Sequence, residues 1–133
     1  MVTIRIPIEP VAFARSGANG KRRFTPKRQS DFMGQFRHFA ALAMEGRPLL
    51  EGPLEMTATF VYQVPPSWSK IKRATAKYKS SKPDASNLVK LAEDSMNCVV
   101  WRDDAQVASL MVQKLYGPYP EIIVTVRELE PIP

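Results

Sequence analysis

The sequence predicts an α+β fold in which a mixed sheet of about four strands packs with two main helices. Four segments alternate apolar and polar residues with a period of two, and two segments show helical spacing of apolar residues. A length of 133 residues is enough to bury one hydrophobic core without disulfides or metals as staples. We find no internal repeat and therefore treat residues 1–133 as one domain.

The first two predicted strands are bounded by prolines. Residues 2–9 alternate apolar with polar side chains, and Pro7 indicates an edge strand or an early end because proline cannot donate a ladder hydrogen bond. Residues 54–64 show the clearest alternation in the chain, and the pair Pro65-Pro66 ends the run. These two segments are expected to contribute one sheet face to the core.

The last two predicted strands follow each other closely. Residues 106–115 and 121–129 both carry the strand pattern. They are joined through residues 117–120, Gly-Pro-Tyr-Pro, which contain strong turn formers. The short connection predicts that the two strands pair as a hairpin.

Two helices are predicted from caps and apolar stripes. Ser30 or Asp31 is expected to cap a first helix that ends near Glu45, before Gly46. The second helix is expected over 86–97. The apolar stripes consist of Phe32, Phe36, Phe39, Ala40 and Ala43 in the first helix and Leu88, Leu91, Ala92 and Met96 in the second.

Composition excludes several classes of protein. The single cysteine, Cys98, excludes an intrachain disulfide and a zinc cluster held by cysteines, and fits a reducing compartment. The single histidine, His38, is interpreted as an ordinary helix residue. No apolar run approaches the ~20 residues of a membrane span, and the first residues alternate like a strand. We therefore expect a soluble cytoplasmic protein with no membrane partner.

The positive charge is concentrated in two segments that contain no acidic residue. Residues 14–28 and 65–83 hold 12 of the 19 lysines and arginines of a chain with net charge +6. Both are interpreted as loops, the second as mobile or loosely helical. They are either solvated surface loops or loops that bind nucleic-acid phosphates. The candidate DNA-binding residues are Arg15, Lys21, Arg22, Arg23, Lys27, Arg28, Lys70, Lys72, Arg73, Lys77 and Lys79.

Acidic residues gather in the window 82–107, around the second helix. Asp84 precedes the helix, and Asp103 and Asp104 follow it. Carboxylates clustered in a basic protein suggest a site for a divalent metal that acts on a polyanion. A helix of about 12 residues spans ~18 Å, so the two groups meet only if the chain doubles back after Asn97 or if two subunits share a site.

The residues of this window resemble the RusA family of Holliday-junction resolvases. The similarity covers about a fifth of the chain and is carried by Asp84-x-x-Asn87-x-x-Lys90, Asp94 and Trp101-x-Asp103-Asp104-x-Gln106-Val107. The resemblance implies a homodimeric, magnesium-dependent endonuclease that binds four-way DNA junctions. It also implies paired symmetric nicks that leave 5′-phosphate and 3′-hydroxyl ends.

The same resemblance assigns roles to individual residues. It implies that Asp84 and Asp104 hold Mg²⁺, with Asp103 as a less critical neighbour of Asp104. Lys90 is then expected to stabilise the charge that develops on the phosphate in the transition state. Structural alternatives remain open: Asp84 as an acid favoured by the helix dipole, Lys90 paired with Asp94, and Asp103-Asp104 as a turn.

Ser86 departs from the family pattern, which has an aspartate at this position. A serine hydroxyl is a weaker magnesium ligand than a carboxylate, and Ser86 also suits the N-cap of the second helix. It is a natural variant that ligates through water, a natural loss of cleavage, or an introduced inactivating change. The alternative functions are accordingly a structure-selective DNA-binding protein without cleavage and, more remotely, an RNA-binding factor.

Overall fold

The computed structural model describes residues 1–14, 17–18, 23–24 and 27–130. In chain order the elements are β1 (Val2–Ile6), β2 (Gly17–Ala18), β3 (Arg23–Phe24), α1 (Lys27–Met44), β4 (Leu54–Gln63), α2 (Lys70–Thr75), α3 (Ala85–Met96), a 3₁₀ turn (Asp104–Gln106), β5 (Val107–Gly117) and β6 (Glu121–Glu128).

A mixed sheet with strand order β1-β6-β4-β5 forms one layer of the fold. β6 pairs antiparallel with both β1 and β4, whereas β4 and β5 are parallel along their length. β2 and β3 form a separate two-stranded ladder. The predicted four-stranded mixed sheet is therefore confirmed, and the helices number three among the described residues rather than two, because α2 adds a short one.

The predicted hairpin between the last two strands is wrong. β5 and β6 are consecutive in the chain, yet β4 lies between them in the sheet. The connection passes over the end of β4, where the amide of Val64 donates to the carbonyl of Gly117 at 3.2 Å. Gly117 fits there because a Cβ would lie 2.7 Å from Cγ1 of Val61. The connection is thus shaped by close packing on β4 and not by a hairpin turn.

The core lies between one face of the sheet and the helices α1 and α3. Alternate residues of β1, β4 and β6 are buried, in agreement with the predicted period of two. α1 packs against both α3 and β1. Trp101 is fully buried, and its indole Nε1 donates to Oδ1 of Asn97 at 2.7 Å, which fixes the turn after α3. This turn directs the chain back along α3.

Several predicted boundaries shift. α1 begins at Lys27, before Ser30 and Asp31, so neither residue caps it. α3 begins at Ala85 with Asp84 as its N-cap, which places Ser86 in the first turn of the helix and not at its cap. β1 ends at Ile6, before Pro7, as proline predicts. In the described ranges no helix is long and apolar enough to cross a bilayer.

Candidate functional site

Asp84 lies at the N-terminal end of α3 with an exposed carboxylate. It occupies the N-cap position, but its side chain makes no capping hydrogen bond and is 57% exposed. The ammonium of Lys82 lies 3.6 Å from its Oδ1. Asp84 is therefore placed where the helix dipole favours an acid, and its oxygens remain accessible to a ligand.

The segment that leads to Asp84 is held against β5. The Nζ of Lys114 donates to the carbonyl oxygens of Ser81 and Pro83, both at 2.8 Å. The amide of Lys79 donates to the carbonyl of Lys114 at 3.0 Å. These hydrogen bonds fix the backbone just before Asp84, so Lys114 contributes to the position of this carboxylate although sequence reasoning did not identify it.

Lys90 lies on α3 beside the segment that follows β1. Its ammonium is 4.1 Å from the ring centroid of Phe13, and the amide of Phe13 donates to the carbonyl of Asn87 at 2.9 Å. Within the described ranges no ion pair joins Lys90 to Asp94. The interpretation of Lys90 as the partner of Asp94 is therefore wrong, and its exposed charge is free of acidic neighbours at salt-bridge distance.

Asp103 closes the turn that precedes β5. Its Oδ1 accepts from the amide of Ala105 at 3.2 Å, and Oε1 of Gln106 accepts from the amide of Asp103 at 3.1 Å, which completes a capping box. The hydrogen bond from Ala105 and a further one with Asp104 lower the pKa of Asp103. The turn interpretation is thus confirmed for Asp103, which caps the 3₁₀ turn.

The pKa of Asp104 lies above its ordinary value. Its hydrogen bond with Asp103, followed by burial and by the charges of Asp103 and Asp94, raises its pKa. Burial, then the charges of Asp104 and Asp94, raises the pKa of Glu93 to about 7. The chain therefore doubles back after α3 and brings Asp104 near Glu93 and Asp94. We call Glu93, Asp94, Asp103 and Asp104 the acidic cluster.

The structure does not bring Asp84 into the acidic cluster. Asp84 precedes the first residue of α3, whereas Glu93 and Asp94 lie in its last turn, about 14 Å further along the helix. In the part of the chain that the structure describes, no three His, Cys, Asp or Glu side chains are arranged to hold a metal ion. The donor chemistry nevertheless fits magnesium, because every candidate is a hard oxygen ligand and Mg²⁺ usually keeps several waters beside one or two carboxylates.

The basic segment 65–83 is organised by aromatic rings. It contains α2, whose N-cap Ser69 accepts from the amide of Lys72 at 3.1 Å, so the predicted loop is partly helical. The ammonium groups of Lys72, Lys77 and Lys79 lie 3.9, 5.2 and 4.8 Å from the ring centroids of Trp68, Tyr78 and Tyr62. No ion pair among the described residues involves Lys70, Lys72, Arg73, Lys77 or Lys79.

The first basic segment is described in part. Arg15, Lys21 and Arg22 lie outside the described residues, and Arg23 belongs to β3. Lys27 and Arg28 lie in the first turn of α1 and are exposed, so the predicted loop over 14–28 is wrong at its end.

The two basic segments adjoin at one cavity beside the segment that leads to Asp84. The cavity has a volume of about 460 Å³, and its lining includes Arg28, Tyr62, Lys82 and Pro83. Arg28 comes from the first basic segment, whereas Lys82 and Pro83 come from the second. Described cations of both segments therefore face the same region of the surface.

Replacing Glu93 with Gln is expected to stabilise the metal-free protein at alkaline pH. The pKa of Glu93 rises from 4.5 to about 7 on folding, so its stabilising contribution is fully present below pH 4.5 and is lost as the pH rises through 7. Glutamine stays neutral. Thermal unfolding in EDTA should give equal Tm values near pH 4.5 and a Tm higher by a few degrees for the variant at pH 8.

The exposed Glu51 provides a matched control for that measurement. Glu51→Gln should leave the pH profile of Tm unchanged. A Glu93→Gln profile parallel to the wild type would show that Glu93 titrates normally and that the acidic cluster does not interact as described.

Comparison with known proteins agrees with the geometry. The family model described as endodeoxyribonuclease RusA matches residues 7–127. The chain is also 33% identical over 132 residues to the uncharacterized protein YqaN of Bacillus subtilis (strain 168), covering 91% of this chain and 92% of that protein. The match spans both ends of α3, the acidic cluster, the second basic segment, β4, β5 and all but the last residue of β6, whereas β1 precedes it. The chain therefore belongs to the RusA family of endodeoxyribonucleases.

Proposed function

We propose that the protein is a magnesium-dependent endonuclease that resolves four-way DNA junctions by paired symmetric nicks. The supporting observation is the acidic cluster beside α3, where the 3₁₀ turn capped by Asp103 packs against α3 and brings Asp104 near Glu93 and Asp94. A divalent cation bound among these carboxylates relieves the repulsion between them. The family membership supplies the class of reaction.

Asp84 and Asp104 are the proposed metal ligands, with Asp103 as an additional oxygen donor. Because Asp84 does not join the acidic cluster within one chain, the proposal places Asp84 of one subunit and Asp104 of the other at a shared site. When bound, the metal supplies a Lewis acid for the scissile phosphate and lowers the pKa of a coordinated water. Asp103 holds the 3₁₀ turn through Ala105 and thereby positions the carboxyl group of Asp104. Lys90 offers an exposed cation for the non-bridging oxygens, where negative charge grows during in-line attack.

The basic segments are the proposed phosphate-binding surface. The described cations of segment 65–83 other than Lys82 have no acidic partner, so contact with DNA does not first have to break an ion pair. Each cation that meets a phosphate releases condensed counterions, and affinity falls as salt rises. The aromatic rings of Trp68 and Tyr116, whose centroids are 5.0 Å apart, anchor the segment on the end of β5.

Replacing Lys70, Lys72 and Arg73 with Ala should weaken junction binding by about 1–3 kcal/mol in total. The slope of log K against log salt should also flatten by up to about three units. Fluorescence anisotropy with a labelled junction across a salt series measures both quantities. The charge-conserving variant Arg73→Lys is the control and should keep the slope, and an unchanged slope in the triple variant would remove these residues from the phosphate surface.

The two candidate functions, cleavage of the junction and junction binding without cleavage, differ in the role of Ser86. One experiment tests both candidates. The wild type and Ser86→Asp are incubated with a labelled four-way junction, with and without Mg²⁺. Because Ser86 is exposed in the first turn of α3, two residues after Asp84, a carboxylate there should strengthen metal binding and raise the cleavage rate. Ser86→Thr, which keeps a hydroxyl, is the control.

Cleavage by the wild type supports the endonuclease proposal directly. Cleavage by Ser86→Asp alone favours the second candidate, a junction-binding protein whose catalysis is lost at Ser86. Failure of both proteins to bind the junction would refute both functions. Symmetric nicks need two equivalent sites, so the active form is proposed to be a two-fold homodimer.

A further inference from the structure

The outer side of β5 is open over its N-terminal half. β5 is an edge strand, and its C-terminal half is covered by the second basic segment through the bridge Tyr78↔Leu115 and the hydrogen bond from the amide of Tyr116 to the carbonyl of Lys77 at 2.8 Å. Over residues 107–113 no strand or bridge of the described chain pairs with that outer side. A row of backbone groups therefore faces outward along about 23 Å of strand.

The open half of β5 lacks the features that normally protect an edge. Residues 107–113 read Val-Ala-Ser-Leu-Met-Val-Gln, with no charged residue, proline or glycine, in a chain of which 24% is charged. The opposite edge, β1, is short, carries Arg5 and is followed by Pro7. Charges and prolines on an edge prevent pairing with another chain. One edge of this sheet is thus blocked and the other is not.

Two exposed apolar side chains mark the same place. Leu110 is 45% exposed and Met111 is 59% exposed. Leu110 is in register with the buried Met56 and lies on the helix side of the sheet, whereas Met111 is in register with Thr57 on the other side. A partner that packed on one face would cover only one of them. A strand added at the edge contacts both.

We propose that a second copy of this chain pairs with residues 107–113, antiparallel and about a two-fold axis at Leu110. The same segment then serves both protomers, as a two-fold interface requires, and Leu110 of each copy lies opposite its equivalent in the other. The two sheets become one continuous sheet of eight strands. The inference deepens the proposed two-fold homodimer by assigning its surface, and it rests on that homodimer.

Charge variants at the axis test the pairing and its register. Leu110→Lys and Leu110→Glu each place like charges directly opposite each other, which should raise the dissociation constant of the dimer ~100-fold or more. Light scattering should therefore show a dimer for the wild type and a monomer for each variant. An equal mixture of the two variants should restore a dimer, because a lysine of one copy then faces a glutamate of the other across the axis.

The helix residue Leu42, which is 60% exposed on α1, supplies the control. Leu42→Lys should leave the dimer intact. A wild type that stays monomeric at micromolar concentration, charge variants that stay dimeric, or monomeric variants that do not recombine would each overturn the proposed surface.

A milder substitution keeps the test valid if the charge variants fold poorly. In a Cys98→Ser background, which removes the exposed native thiol, Leu110→Cys should form a disulfide-linked dimer on mild oxidation, whereas Leu42→Cys should not. Absence of the crosslink at Leu110 would overturn the register.

The outcomes separate this surface from the nuclease proposal. A dimer that persists in all these variants refutes the surface and leaves cleavage to be judged by the junction assay. A wild type that pairs through β5 but neither binds nor cuts junctions refutes the nuclease proposal and supports the surface.

Discussion

Replacing Asp84 or Asp104 with Asn is expected to abolish magnesium-dependent cleavage of a four-way junction while junction binding stays equal or becomes slightly tighter. Each change removes a hard, charged metal ligand, and it also removes a negative charge from a surface that faces phosphate. Single-turnover cleavage and anisotropy on the same labelled junction measure the two effects separately. Binding and chemistry should therefore separate in these variants.

Two matched variants sharpen this experiment. Asp31→Asn changes an exposed aspartate of α1, far along the chain from the acidic cluster, and should cleave like the wild type. Asp103→Asn should reduce cleavage less than Asp104→Asn, because the asparagine side chain can still accept from the amide of Ala105 and cap the turn. If the Asp84 and Asp104 variants unfold, or cleave normally, these carboxylates serve the helix end and the turn, and the metal proposal fails.

Lys90→Ala is expected to slow cleavage by roughly 10²–10³-fold with little change in the Mg²⁺ concentration needed for half-maximal rate. The ammonium is proposed to stabilise charge that appears only in the transition state, so its loss acts on the rate and not on metal affinity. The measurement is the single-turnover rate at saturating protein, across a magnesium titration. A large rise in the half-maximal magnesium concentration would instead assign Lys90 to the metal site.

The contact between Lys90 and Phe13 requires a second variant. In the wild type the ammonium of Lys90 lies 4.1 Å from the ring centroid of Phe13. Lys90→Met keeps an unbranched side chain that can pack on this ring and removes the charge. It should be as slow as Lys90→Ala. A near-normal rate for Lys90→Met would show that Lys90 acts through packing on Phe13, which holds the segment after β1 against α3.

Local patterns predicted the elements well because each element buries one periodic face. The alternation in β4 and the stripe Leu88, Leu91, Ala92 and Met96 of α3 correspond to buried residues. The same local patterns do not indicate which strands pair with each other in the sheet. The short link between β5 and β6 indicated a hairpin, but both strands gain more by pairing with β4, whose core-facing side is buried along nearly its whole length.

The candidate site was predictable in its residue types and not in its contacts. The resemblance identified Asp84, Lys90 and Asp104, and the structure adds neighbours that lie far away in sequence. Lys114 reaches Ser81 and Pro83 across more than thirty residues, and no local pattern indicates such a hydrogen bond. No local pattern singles out Glu93, because a glutamate beside Asp94 on a helix usually belongs to a solvated face.

The parallel pairing of β4 with β5 has a consequence for how the site assembles. Parallel strands require a crossover, and here the connection contains α2, α3 and the acidic cluster. Leu54 pairs with Val107 and Gln63 with Gly117, so these strands join only after a long loop has closed. The acidic cluster itself spans only residues 93–104 and is held by the local hydrogen bonds of Trp101 and Asp103, whereas Gln106 ties its turn to the carbonyl oxygens of Leu50 and Gly52 ahead of β4. Closure of the crossover therefore fixes where a locally formed group of carboxylates stands on the sheet.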